Sequence, residues 1–295
     1  MAAALAAAMM QAPLAVASLS DRAAPGRVRA RAQLQADRAA AYKSLRTSIS
    51  AGLSPERLGG QTTIVLGFQI TDPGARVPPP LRAMSILYPN NLGIALSGLG
   101  IETCASAVVE LTGAGGCPPD SVMGRGSALA EVPFGPETVH EQAAITILRA
   151  EDQGGFIALL FDAQAEKPVQ ANIVLTAELL PARVPYGGRI SVSLPLVPSL
   201  PEAPPVAVVA LRATLGPLGL TYYEVRRHRR IAYHPKGIFL PDSCPRGGFP
   251  FAASFRFEGG TATSATTRVR CPRPRRGTAH RRGTAGGRVR PSKLV

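Results

Sequence analysis

From Gly60 onward, apolar and polar residues alternate with a period of two. Thr62 to Ile70 sets Ile64, Leu66, Phe68 and Ile70 on one side of an extended chain and Thr63, Val65, Gly67 and Gln69 on the other, which is the pattern of a strand with one buried face. Alternating or continuous apolar runs follow at Leu81 to Tyr88, Leu92 to Leu96, Ser127 to Val132, Thr138 to Leu148, Phe156 to Ala163, Val169 to Leu180, Arg189 to Leu194, Val206 to Leu215, Thr221 to Val225 and Ile231 to His234. A last pair, Phe249 to Phe257 and Thr261 to Arg270, is joined by Glu258, Gly259 and Gly260 and reads as a hairpin. Pro or Gly punctuates every run, and with 30 Gly and 28 Pro in 295 residues there is no room for long helices. The one helical candidate is Ala105 to Leu111. Without crossover helices a parallel sheet is excluded, and the spacing predicts an all-β fold, an antiparallel β-sandwich or flattened barrel of about 12 strands.

The flanks look different. Residues 2–17 are uncharged and apolar, and Ala15-Val16-Ala17 is a small-x-small cleavage site, so 1–17 reads as a signal peptide. That run is too short for a transmembrane anchor. Residues 18–57 are rich in Ala and Arg and show no strong apolar stripe, which predicts an arm, helical or extended, ahead of a β-domain at 58–272. Residues 273–295 repeat Arg-Arg-Gly-Thr-Ala and hold no acid, which predicts a disordered basic tail. The formal charge of +14 belongs to these flanks, because residues 58–267 carry 15 basic and 16 acidic side chains. Arg outnumbers Lys 29 to 4, the composition of a GC-rich genome.

Four cysteines sharpen the picture. Cys104 and Cys117 close a short segment around the helical candidate, while Cys244 and Cys271 lie just outside the two far ends of the final hairpin and can meet at its base. No CxxC spacing points to zinc or a redox motif. Each bridge would stabilise the fold by roughly 3–4 kcal/mol in the loop-entropy account. Disulfides and the leader together predict a secreted or cell-envelope protein, the alternative being a cytoplasmic protein with four free thiols.

The search for chemistry returns little. There is no GxSxG elbow, no Gly-rich phosphate loop and no cofactor motif. His140, His228, His234 and His280 have no metal-binding spacing, so no metal is expected. Glu137 and Glu141 would share a strand face about 13 Å apart, too far for a glycosidase pair, and read as solvated carboxylates. Trp is absent, and the one aromatic cluster is Tyr222, Tyr223 and Tyr233. These tyrosines flank Arg226, Arg227, His228, Arg229 and Arg230, which would form the cationic tip of a hairpin able to hold phosphate or another anion.

Leu240-Pro241-Asp242-Ser243-Cys244-Pro245-Arg246-Gly247-Gly248-Phe249-Pro250-Phe251, the Phe-rich strand and Glu-Gly-Gly turn that follow, and Cys271-Pro272 together resemble exported β-rich proteins of high-GC actinobacteria. Tyr88-Pro89-Asn90-Asn91-Leu92 and Gly116-Cys117-Pro118 look similar to the same group, and the resemblance spans residues 60–272. It implies export and a disulfide-bearing β-domain, and carries no activity. The expectation is therefore a non-catalytic exported β-domain acting as a structural or interaction module of the cell envelope, with anionic envelope polymers as partners. The alternative is an anion or nucleic-acid binder working through the arginine-rich tip and the basic tail, and third comes an enzyme whose site is assembled from distant loops.

Overall fold

The computed structural model describes residues 45–74, 77–134, 137–166, 170–196 and 205–272. The predicted signal peptide 1–17, the first part of the arm and the basic tail 273–295 lie outside the described residues. The strands in chain order are β1 (Arg46–Ser54), β2 (Thr63–Thr71), β3 (Leu81–Pro89), β4 (Gly93–Ile94), β5 (Val122–Phe134), β6 (Glu137–Arg149), β7 (Ile157–Ala165), β8 (Ala171–Pro181), β9 (Tyr186–Ser193), β10 (Ala207–Leu215), β11 (Tyr222–Arg226), β12 (Arg229–Tyr233), β13 (Ile238–Phe239), β14 (Phe249–Phe257) and β15 (Ala262–Val269). A single α-helix among the described residues, α1 (Ser106–Thr112), sits where Ala105 to Leu111 predicts it.

Eleven strands form one sheet in the order β1-β2-β10-β5-β6-β7-β8-β9-β3-β14-β15, every neighbouring pair antiparallel. β5 to β9 run as a simple meander, while β10 inserts between β2 and β5, and β3 between β9 and β14. The edge strands β1 and β15 come within 8 Å of each other without sharing a ladder, so the sheet curls into a nearly closed barrel with one unbonded seam. Of the two forms the alternation predicts, sandwich or flattened barrel, the chain takes the barrel.

Closure turns one face of every strand inward. On β14 the inward set is Phe249, Phe251, Ala253, Phe255 and Phe257, all buried. Phe255 meets Phe68 of β2 edge to face, ring centroids 5.2 Å apart. Each such fully buried side chain stabilises the fold by about 1.5–3 kcal/mol through area removed from water. At the turn after β14, Gly259 takes φ 79°, a left-handed conformation that glycine adopts without strain.

The arm at 18–57 needs correction at its end. β1 occupies residues 46–54 and pairs with β2 from Arg46↔Thr71 to Ser54↔Thr63, so the β-domain begins before residue 58. Ile49 and Leu53 reach the core from β1. Their inward neighbours are Thr47 and Ala51, so the strand carries few large apolar residues.

The two ends of the barrel differ. One end carries the start of β5, the ends of β2's neighbours β1 and β10, the α1 loop and both disulfides, Cys104–Cys117 with Cα atoms 5.5 Å apart and Cys244–Cys271 at 5.9 Å. The pairing predicted from the sequence is present, and the described residues hold no free cysteine. Outside the sheet, Val109 of α1 packs with Cys104, Cys117, Leu148, Ala150, Ala158 and Leu160 into a second, smaller core. Asp162 of β7 holds that loop down, accepting hydrogen bonds from the Ala114 amide at 2.8 Å and from Gln164 at 2.9 Å. The opposite end carries the β5–β6 and β7–β8 turns and the connection from β9 to β10.

Candidate functional site

β11 and β12 form a two-stranded sheet of their own, separate from the barrel. Register runs from Tyr222↔Tyr233 to Arg226↔Arg229, leaving Arg227 and His228 as a two-residue turn. Both take left-handed backbone, φ 50° and 63°, the requirement of a type I′ hairpin, which Asn-Gly meets at far lower cost. Of the ten strand residues only Tyr222 is buried. Isolated two-stranded ribbons are marginal in water, so the anchor decides whether this one holds its shape.

The anchor is Tyr222. Its hydroxyl donates to the Val122 carbonyl at 2.6 Å and accepts from the Gly100 amide at 2.8 Å. Burial pushes this hydroxyl up to about 12, so it keeps the proton it donates. Next to it, the buried Asp120 carboxylate accepts from the Tyr223 amide at 3.0 Å, and Tyr233 packs edge to face on Tyr222 at 6.0 Å. His234 Nδ1 donates to the Leu220 carbonyl at 3.1 Å, adding a further tie at the hairpin base. Gly100 precedes the Cys104–Cys117 loop and Asp120 follows it, so the hairpin base rests on both stems of that disulfide loop.

The five basic residues share the ribbon but not one role. Arg226 forms an ion pair with Glu224 at 2.9 Å, and Arg230 lies over the Tyr223 ring, 3.8 Å from its centroid. Arg227, His228 and Arg229 have no ion-pair partner among the described residues. Exposed apolar side chains accompany them on both faces, Tyr223 and Val225 on one, Ile231 and Tyr233 on the other, with Val225 73% exposed. The ribbon therefore offers two free guanidinium groups, an exposed imidazole and an arginine–tyrosine stack.

Among the described residues no group of three His, Cys, Asp or Glu could hold a metal ion. His140 stands opposite Glu131 across β5–β6, 3.5 Å away, on the outer face. Glu137 is exposed as predicted, whereas Glu141 is not a solvated carboxylate: it is buried inside the barrel, opposite Ala130. The alternation of Val139, Glu141, Ala143, Ile145 and Ile147 already places it on the inward face of β6.

No helix among the described residues is long and apolar enough to cross a membrane. No protein-family model matches the chain, and neither curated proteins nor solved structures yield a relative.

Proposed function

We propose that the protein is a non-catalytic, exported barrel module that docks on an anionic polymer of the cell envelope through the β11–β12 hairpin. The observation that carries this reading is the turn. Arg227 and His228 occupy two left-handed positions that cost L-residues with side chains about 1–3 kcal/mol each, and what the chain gains there is exposed cationic surface. Arg229 adds a second free guanidinium, and the Arg230–Tyr223 stack stiffens the ribbon at the point of contact. Two disulfides and the leader sequence support export.

The test titrates the full-length protein with polyphosphate, with neutral dextran as control, at 50 and 200 mM salt. Polyphosphate is expected to bind, with affinity falling about tenfold between the two salts for a few phosphate contacts. Replacing Arg227 by Asn and His228 by Gly together relieves the turn, so the variant is expected to be more stable and yet bind several-fold more weakly. Equal binding by that variant, salt-insensitive binding, or turnover of a glycan or ester by the purified protein would each overturn the proposal. Preference for a single-stranded oligonucleotide over polyphosphate would transfer the site to nucleic acid.

A further inference from the structure

The end of the barrel away from the hairpin is not filled. Six alanines, Ala128, Ala130, Ala143, Ala163, Ala165 and Ala171, face inward from β5 to β8, where an eleven-stranded wall leaves more room than small side chains occupy. The result is a cavity of about 160 Å³, lined also by Phe68, Leu81, Met84 and Val192 of β2, β3 and β9. A cavity of this size admits a molecule about as large as benzene.

One side chain breaks the apolar lining. Of the twenty described residues around the cavity, Glu141 is the single polar one. It is 8% exposed, and its Oε1 has no hydrogen-bond partner among the described residues. No other titratable group stands among those described lining residues. Burial accordingly pushes its pKa above the ordinary 4.5. A carboxyl placed in an alanine-lined space with an oxygen left over is poorly suited to packing, since glutamine or alanine would avoid the charge. It is well suited to meeting a ligand that brings one cation or donor into a largely apolar pocket.

We infer that the barrel holds a second binding site, in which a small apolar molecule with one protonated amine lies among the alanines and pairs its ammonium with Glu141. The arrangement is complementary on both counts: the walls take a single ring or short alkyl chain, and the carboxylate fixes which end enters first. This site is independent of the hairpin proposal, being built from other strands at the opposite end.

The experiment is calorimetric titration of the full-length protein with benzylamine, toluene and benzoate, three probes of similar size and different charge. Benzylamine is expected to bind at least tenfold more tightly than toluene, and benzoate not at all. Affinity for benzylamine should strengthen as pH rises through the titration of Glu141 while the amine stays protonated, because the ion pair needs the carboxylate. Glu141→Gln should remove the preference for benzylamine and its pH dependence while leaving toluene binding intact, which shows that the pocket persists. Ala163→Leu, which fills the space, should abolish binding of both benzylamine and toluene. Equal binding of benzylamine and toluene, preference for benzoate, no binding by any probe, or benzylamine binding unaffected by both variants would overturn the inference.

Discussion

Two carboxylates four positions apart on β6 show how much one strand can vary along its length. Glu137 is exposed near the turn, and Glu141 is buried with one oxygen that has no hydrogen-bond partner among the described residues. The folded pKa of Glu141 is raised above its unfolded value, so the folded state binds the extra proton between those two values. The contribution of this group to stability is therefore greatest below the ordinary carboxylate range and is lost as pH rises through the folded pKa, after which it levels off. Glu141→Gln removes the titration: the variant is expected to be more stable than the parent at pH 7 and to show a flatter profile above pH 4.5 in urea unfolding followed across pH. A variant less stable than the parent at pH 7 would mean that the carboxylate has a partner in the fold. The position was legible, since Glu141 falls in phase with Val139, Ala143, Ile145 and Ile147. What faces it was not, because the walls across the barrel are set by strand order rather than by the pattern of β6.

At the scale of elements, local patterning accounts for most of what formed. The final hairpin, the α1 helix and both disulfide pairs fall where alternation and cysteine placement put them, because each is closed by contacts near in sequence. β1 is the exception, and its two core residues make a direct test. Leu53→Ala is expected to cost about 2–5 kcal/mol in chemical denaturation, as for a core leucine; an effect near zero would return residues 46–54 to an arm. The hairpin depends on a neighbouring element in a less obvious way. Tyr222 and the Tyr223 amide bond to groups on either side of the Cys104–Cys117 loop, so that disulfide steadies the ribbon without touching it. Replacing both cysteines by alanine is expected to cost about 3 kcal/mol in the loop-entropy account and to speed amide exchange in β11 and β12. The same change at Cys244 and Cys271 should leave hairpin exchange unaltered. If both double variants accelerated the ribbon equally, the loss would be global rather than carried through Tyr222.

For the molecule as a whole, strand order was beyond the reach of local patterning. Nothing in the period-two signal of β10 says that it inserts between β2 and β5, or that β3 leaves its sequence neighbours for β9 and β14; those choices are made by which faces bury together once the chain has collapsed. The cavity follows from the same step, since alanines on four strands become one space only when the sheet closes around them. The hairpin was legible as a charged turn, but the split of its five basic residues into paired and free was not, because Glu224 and Tyr223 claim theirs through geometry. The order also gives the barrel two unlike ends. About eight residues of β5 at about 3.3 Å each separate Val122, beneath the hairpin, from Ala130, at the cavity. Under the proposed function, a molecule tethered by its arginines would have a direction: gripped at one end by a surface, it would turn the alanine-lined opening toward whatever diffuses past, as a cup held by its foot.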